Sequence, residues 1–121
     1  MQIVLENVME ETIDMFLDIV KAVNDPKLSM CFDIGHAHAY SENSVMEWLE
    51  ACAPYISHFH IHNNDGSWDN HCQLYDGTIS MEDFLKKANE LCPDATYTLE
   101  LVDSAPSVRW LKEKGLLEVS L

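Results

Sequence analysis

The chain has 121 residues, and 47% of them are hydrophobic, which suits a single domain with its own core and excludes a largely disordered chain. The formal net charge is −14, because 21 acidic residues face only 7 Lys and Arg. This acidity argues against a broad nucleic-acid surface and against attraction to anionic membranes, since both kinds of binding need clustered cations.

Features that would place the chain in another compartment are missing from the sequence. No apolar run approaches the roughly 18 residues of a membrane-spanning helix, and residues 1–7 lack the basic start and apolar centre of a signal peptide. The sequence therefore predicts a soluble, cytoplasmic protein. Its four cysteines form no CxxC pair, so we expect free thiols rather than a thiolate zinc site. Cys72, next to His71, is the one candidate nucleophile among them.

Short runs typical of buried strands alternate with helical patterns along the chain. The predicted elements, in chain order, are a strand at residues 3–6, a helix at 9–23, a strand at 30–33, a helix at 45–53, a strand at 57–62, a helix at 81–91, a strand at 97–102 and a helix at 107–114. The helices have apolar residues at three- and four-residue spacing, as at Ile13, Phe16, Leu17 and Val20. Such alternation predicts a parallel sheet of βα units, in one α/β domain over residues 1–121.

Each predicted strand has one apolar face and one face that ends in a potential metal ligand. This follows because successive side chains of a strand point to opposite faces. The apolar faces are expected to pack on the helices, and the other faces to bring together Glu6, Asp33, His60 and Glu100. The first three are spaced by 27 residues each, about one strand, one helix and two short loops. The fourth follows after 40 residues because the segment 63–80 is inserted.

Three carboxylates and one imidazole at the carboxyl ends of neighbouring parallel strands indicate a divalent metal site. This ligand set suits Mn²⁺, Mg²⁺, Zn²⁺, Co²⁺ or Fe²⁺. Without a cation, three clustered carboxylates would repel one another strongly. The alternative is that each residue only caps a strand end or pairs with a neighbour. His62 lies on the same strand face as His60 and competes with it as the ligand.

A second group of potential ligands lies close to the first along the chain. His36 follows Asp33 by three residues, and Asp69 and His71 form an Asp-x-His pair in the inserted segment. Two imidazoles and a carboxylate make a zinc-like site, and the alternative role is contact with substrate or support of the first site. His58 is expected to be a hydrogen-bonded residue deeper inside the sheet. Residues 63–66 predict a turn, because they lack the ligand positions of a calcium loop.

The strings VLEN, CFDIGHAHAYSE, HFHIHNNDGSWDNH, DGTI and TLEL resemble the C-terminal half of the xylose-isomerase-like TIM-barrel superfamily, over essentially the whole chain. This superfamily includes sugar-phosphate isomerases and epimerases, ketose 3-epimerases and endonuclease IV. The resemblance implies a parallel (βα)4 half of a TIM barrel. It implies that the metal ligands of the fifth to eighth barrel strands match, in order, Glu6, Asp33, His60 and Glu100.

Further roles are also implied by the resemblance. Glu6 and Glu100 match the acid/base pair of the epimerases, in which the metal stabilises an enediolate of the sugar. His36, Asp69 and His71 match a further zinc site of endonuclease IV. In that enzyme another zinc takes two histidines from the N-terminal half, and these have no counterpart here.

The sequence departs from the family pattern in two ways. Asn63 stands where an Asp is often found, and only about four of the eight βα units are present. Four strands cannot close a barrel, so we expect a second copy of the chain or a companion half-barrel chain to complete it, unless the chain is a truncated product.

Three functions remain open from the sequence. The first is a metal-dependent sugar or sugar-phosphate isomerase or epimerase, in which Trp68 or Tyr75 either covers the substrate or is only a packing residue. The second is a zinc phosphodiesterase of the endonuclease IV type. The third is a metal-binding fragment or subunit of a split barrel without turnover.

Overall fold

The computed structural model describes residues 1–117 and contains one four-stranded sheet. The strands are β1 (Ile3–Glu6), β2 (Leu28–Asp33), β3 (Ile56–Ile61) and β4 (Thr96–Leu99). They lie side by side in chain order, and every neighbouring pair is parallel. Parallel neighbours joined by helical crossovers are the arrangement of TIM barrels, so the fold is a (βα)4 half barrel, as predicted.

The helices pack on one face of the sheet, and all but the last lie between successive strands. They are α1 (Ile13–Val23), α2 (Ile34–Tyr40), α3 (Val45–Cys52), α4 (Met81–Leu91) and α5 (Ala105–Glu113), with a 3-10 turn at Ala53–Tyr55 after α3. Among residues 1–117, no helix combines the length and the apolar character that crossing a membrane requires.

An aromatic cluster forms the centre of the core between sheet and helices. Phe32 of β2 and Phe59 of β3 are fully buried, and both contact Phe84 of α4 edge to face. Trp48 of α3 is also fully buried and stacks on Phe32, with ring centroids 6.0 Å apart. The predicted apolar strand faces therefore do pack against the helices, and this packing fixes β2 and β3 at the centre of the sheet.

The first helix begins four residues later than the sequence pattern predicts. The prediction at residues 9–23 is wrong at its start, since α1 begins at Ile13. The preceding turn is held by tertiary contacts instead: the carbonyl of Glu11 accepts hydrogen bonds from the amide of Glu42 and the hydroxyl of Ser41. The amide of Ile13 donates to the side chain of Asn43. These distant partners replace helical hydrogen bonds that the apolar period alone would extend.

Two further differences concern the ends of strands. A helix directly after β2 was not predicted, yet α2 begins at Ile34 because the Asp33 carboxylate accepts a hydrogen bond from the His36 amide and caps it. The last strand ends at Leu99 and not at residue 102, and the last helix begins at Ala105, before residue 107. A proline at its first turn suits this earlier start.

The two edge strands leave apolar side chains uncovered. Ile3 and Val4 of β1 are about half exposed, and Tyr97 of β4 is exposed by 37%. An apolar cleft of about 530 Å³ opens beside β4, and the residues that line it include Tyr97, Leu99, Leu111 and Leu117. Both edges of the sheet are therefore apolar surfaces of the described chain, which is what a half barrel presents where further strands would continue it.

Candidate metal centre

The four residues predicted as metal ligands converge at the carboxyl end of the sheet. Asp33 is directly opposite His60 in the ladder, and the amide of Glu100 adds one more hydrogen bond to the carbonyl of Ile61 after β4 ends. His60 Nδ1 lies 2.8 Å from Glu6 Oε1, 3.1 Å from Glu100 Oε1 and 3.8 Å from Asp33 Oδ2. One ligand atom from each of the four lies within 4.8 Å of the others.

Asp33 has the environment expected of a cation ligand. Its side chain is fully buried, and its Oδ1 atom accepts hydrogen bonds from the His36 amide and from His62 Nε2. Burial alone would raise the pKa of Asp33, but the hydrogen bond and charge of His62, with the His36 amide, outweigh burial and hold the pKa below its ordinary value. Within residues 1–117 its Oδ2 atom has no hydrogen-bond partner. A buried, ionised oxygen without a partner fits a bound cation.

The two glutamates occupy the open side of this cluster. The exposed fractions of their side chains are 34% for Glu6 and 31% for Glu100, against none for Asp33. Burial raises the pKa of Glu100, the charge of His60 opposes this, and the nearby charges of Asp33 and Glu6 raise the pKa further. A small molecule could therefore reach both glutamates from solvent while Asp33 stays shielded.

Asn7 is a residue of this site that the sequence prediction missed. Its side-chain amide brackets the backbone of Asp33: Nδ2 donates to the Asp33 carbonyl at 2.9 Å, and Oδ1 accepts from the Asp33 amide at 2.8 Å. Asn7 is 1% exposed, so this double contact is shielded from water. The sequence signal was its position directly after Glu6 in the string VLEN. Asn7, directly after β1, thereby fixes the position of Asp33, and β1 itself carries Glu6.

The second predicted group also comes together in the structure. Asp69 Oδ2 lies 3.3 Å from His36 Nε2 and 3.2 Å from His71 Nε2. His36 Nδ1 donates to the carbonyl of Asn7, and His71 Nδ1 donates to the carbonyl of Glu100. Because those carbonyls can only accept, each ring carries a hydrogen on Nδ1, and Nε2 is the ring atom that faces Asp69. Imidazoles oriented in this way are typical metal ligands.

The pKa values of these two histidines are raised by the oxygen atoms around them. Burial alone would lower the pKa of His36, but the Asn7 carbonyl and the charges of Asp33 and Asp69 outweigh it. In His71, burial is outweighed by the Glu100 carbonyl and by Asp69. A metal ion at this group must therefore displace protons, and its affinity must fall as the pH is lowered.

The inserted loop is held by Asn63, the residue that departs from the family pattern. Its Nδ2 donates to the carbonyls of Leu74 and Ile79, and its Oδ1 accepts from the amides of Asn64 and Ile79. An aspartate could not make the two donated bonds. Gly77 is required beside it, because a Cβ there would lie 2.3 Å from Asn63 Oδ1. The loop so fixed carries Asp69 and His71, and His71 takes a left-handed conformation with φ of 51°.

The three histidines at positions 58, 60 and 62 differ in their contacts. His60, and not His62, lies beside all three carboxylates. His62 is fully buried, hydrogen-bonds to Asp33 and forms a further group of possible ligands with His71 and Glu100. His58 is hydrogen-bonded through both ring nitrogens, to the hydroxyls of Thr96 and Thr98, as predicted.

The cysteines are free thiols. The pKa of Cys72 is raised by burial and by the charges of Asp76 and Asp65, which argues against the alternative that Cys72 is a thiolate nucleophile. Trp68 and Tyr75, the two aromatic residues considered as a cover for substrate, are both more than half exposed.

A family of known proteins shares this fold and sequence pattern. The sequence model described as "Xylose isomerase-like TIM barrel" matches residues 1–116. The chain belongs to this family. Its relatives include two uncharacterized proteins of Methanocaldococcus jannaschii, MJ1311 and MJ1614. MJ1311 is 33% identical over 84% of this chain and 36% of its own length. MJ1614 is 33% identical over 74% of this chain and 37% of its own length.

Solved structures of similar fold superpose on the half barrel. A D-tagatose 3-epimerase-like protein has a TM-score of 0.82 and 30% identity, and covers 93% of this chain. The TTHB071 protein from Thermus thermophilus, soaked with ZnCl₂, has a TM-score of 0.76 and 26% identity over 96% of this chain. A xylose isomerase domain protein from Planctomyces limnophilus, at 24% identity and a TM-score of 0.77 over 93% of this chain, supports the fold alone. This chain spans 44–46% of these three proteins.

Proposed function

We propose that the chain supplies the metal-binding half of an isomerase or epimerase that acts on a sugar or sugar phosphate. The observation that carries the proposal is the convergence of three carboxylates on His60, with the buried Asp33 Oδ2 atom left without a partner among residues 1–117. The resemblance to a D-tagatose 3-epimerase-like protein supports the same reaction class. The ligand set suits Mn²⁺, Zn²⁺, Mg²⁺ or Co²⁺.

All four residues would contact the ion, and the two glutamates would also carry protons. Asp33 and His60 would mainly hold the cation, because Asp33 is fully buried and His60 is 22% exposed. When bound, the cation supplies positive charge that stabilises negative charge on the substrate oxygens. Glu6 and Glu100 reach the open side of the cluster and lie on opposite sides of His60 in the strand order.

That placement suits proton transfer on a carbon next to a carbonyl. One glutamate removes the proton from carbon, leaving the electron pair in an enediolate, and the other returns a proton to the opposite face of the same carbon. The configuration of that carbon is thereby inverted, with no net gain or loss of atoms. The raised pKa of Glu100, caused mainly by burial, makes this carboxylate a better proton acceptor than a free glutamate.

The substrate pocket of such an enzyme requires a second half. The apolar edges at β1 and β4 would pair with a further four strands, supplied by a second copy of the chain, by a companion half-barrel chain or by more of the same polypeptide. For the 121-residue chain we expect a mass above that of a monomer in sedimentation experiments. A stable monomer would contradict completion by a second copy.

Metal analysis tests the proposed ligand set. The purified chain is expected to retain a divalent ion, and Glu6→Gln and Glu100→Gln are each expected to lose it, because each substitution removes an anionic ligand. Glu82→Gln is the matched control, since Glu82 lies on α4 and pairs with Lys86 and Lys114 on the surface. Full metal retention in both site variants would refute the assignment of these two glutamates.

A second candidate function is supported by His36, Asp69 and His71, which form a zinc-like group beside the first. A zinc phosphodiesterase of the endonuclease IV type would use both groups, but the net charge of −14 opposes contact with DNA.

Assays of the complete barrel separate the functions. An epimerase is expected to exchange the proton next to the ketose carbonyl for deuterium in D₂O and to leave abasic-site DNA intact. Cleavage of that DNA without sugar exchange would favour the phosphodiesterase. Metal binding with neither reaction would favour a subunit without turnover.

A further inference from the structure

His62 lies between the two groups of potential ligands and is completely buried. Its Nε2 atom is 2.9 Å from Asp33 Oδ1, in the first group, and its Nδ1 atom faces Asp69 Oδ1, in the second, at 3.6 Å. Neither His62 Nδ1 nor Asp69 Oδ1 has a hydrogen-bond partner among residues 1–117. The His62 ring thus lies between Asp33 of the first group and Asp69 of the second.

The surroundings of His62 hold the ring in this place. The ring of His71 stacks on it, with centroids 3.9 Å apart and planes inclined by 2°. Gly35 lies against the ring as well, because a Cβ at residue 35 would lie 1.9 Å from His62 Cε1. Any larger residue at position 35 would displace the imidazole, so glycine leaves the space that the ring occupies.

Asp33 and Asp69 each direct one carboxylate oxygen at His62 and the other at the predicted ligands of their own group. Asp33 Oδ1 accepts from His62, which leaves Oδ2 near His60. Asp69 Oδ1 faces His62, which leaves Oδ2 near His36 and His71. The hydrogen bond from His62 to Asp33 is an outer contact of the kind that fixes a metal-binding carboxylate and raises affinity. Asp69 Oδ1 lies 3.6 Å from His62 Nδ1, in contact with the ring but without a hydrogen bond among residues 1–117.

We infer that His62 is a positioning residue shared by two metal sites, which orients Asp33 for the first ion and Asp69 for the second. This inference rests on the metal sites proposed above and adds a residue to them. It predicts that the two ring nitrogens have separable effects, because Nε2 lies near Asp33 and Glu100 of the first group, at 2.9 and 3.8 Å, and Nδ1 lies near Asp69 of the second, at 3.6 Å.

Two substitutions separate these effects. In His62→Gln the side-chain amide lies where Nε2 was, so the contact with Asp33 is kept and the one with Asp69 is lost. In His62→Asn the amide lies where Nδ1 was, so the contact with Asp69 is kept and the one with Asp33 is lost. Titration of the metal-free 121-residue chain with Zn²⁺ alone measures both affinities. Glu6→Gln and Asp69→Asn chains identify which binding step belongs to which site.

The expected result is selective. His62→Gln should lower the affinity of the second site by roughly 10–100-fold and leave the first near wild type, and His62→Asn should do the reverse. His38→Gln is the control, since His38 contacts Thr78 and belongs to neither group. Unchanged affinities in both variants, equal losses at both sites, or a single ion bound by the wild-type chain would each overturn the role of His62. A wild-type chain that binds no Zn²⁺ would refute the proposed metal sites themselves.

A third variant, at the glycine that contacts the ring, tests the inference if either substitution at residue 62 prevents folding. Gly35→Ala leaves all polar atoms of His62 in the chain but pushes its ring away. We expect lower Zn²⁺ affinity at both sites in this variant, since the contacts with Asp33 and Asp69 are disturbed together. Wild-type affinity at both sites in a folded Gly35→Ala chain would contradict the positioning role.

Discussion

Asp33→Asn is expected to abolish metal binding at the first site while leaving the chain folded. The substitution removes the negative charge of a fully buried carboxylate, the proposed ligand, and replaces one of its oxygens by an NH₂ group that cannot bind a cation. The loss of affinity should exceed the roughly 10–100-fold typical of losing an outer contact, because a direct ligand is removed. Titration with Zn²⁺ or Mn²⁺ measures it.

The fold should survive this change because Asp33 has a second role that asparagine can fill. Its Oδ1 atom caps α2 by accepting from the His36 amide, and asparagine caps helices as well as aspartate does. Asp18→Asn, on the exposed surface of α1, is the matched control and should bind metal like the wild type. Stoichiometric binding of normal affinity in Asp33→Asn would contradict the central assignment of the site.

Trp48→Ala is expected to have the largest effect on stability, a loss of about 3–5 kcal/mol in the free energy of unfolding. Trp48 is fully buried, stacks on Phe32, contacts Phe16 edge to face and donates from Nε1 to the hydroxyl of Ser41. Its removal leaves a cavity beside β2 and takes one hydrogen bond from the Ser41 hydroxyl, which keeps its bonds to Glu11 and Asn43. Since small domains are stable by only about 5–15 kcal/mol, much of the fold's stability would be lost.

Denaturant unfolding of the metal-free chain measures this effect without contributions from bound ions. Trp68→Ala is the matched control, because Trp68 is 64% exposed, and its removal should change stability by less than about 0.5 kcal/mol. Trp48→Phe should lie between wild type and Trp48→Ala, since it keeps aromatic packing and loses the hydrogen bond to Ser41. Equal stabilities of the two tryptophan-to-alanine variants would show that the Phe32 cluster is not the centre of the core.

The alternation of apolar and polar residues predicted the sheet because burial acts on it directly. Phe32 and Phe59 face the helices, while Asp33 and His60 face the opposite way, as period-two alternation requires. The 27-residue spacing then brought ligands to equivalent strand ends, since each βα unit advances the chain by one strand. Boundaries were less predictable, and α1 begins late because Glu11 bonds to Glu42 and Ser41 from another part of the chain.

Short elements and single contacts escaped prediction for a different reason. Helix α2 has seven residues, too few for an apolar period to stand out, and it begins where the Asp33 carboxylate caps it. The sequence places Asn7 directly after Glu6 and His62 on the strand face of His60, but it shows neither residue's contact with Asp33. Their importance comes from hydrogen bonds to Asp33 across 26 and 29 residues of sequence.

The sequence by itself determined that this chain is a parallel half barrel of the xylose isomerase-like family, with Glu6, Asp33, His60 and Glu100 at corresponding strand ends. Periodicity and spacing carry that information because they follow from the geometry of strands and helices. Only the tertiary structure decided that His60 and not His62 joins the three carboxylates. It also placed His62 between Asp33 and Asp69. The position of a ring depends on the side chains packed around it, and here Gly35 and the stacked ring of His71 fix the position of the His62 ring.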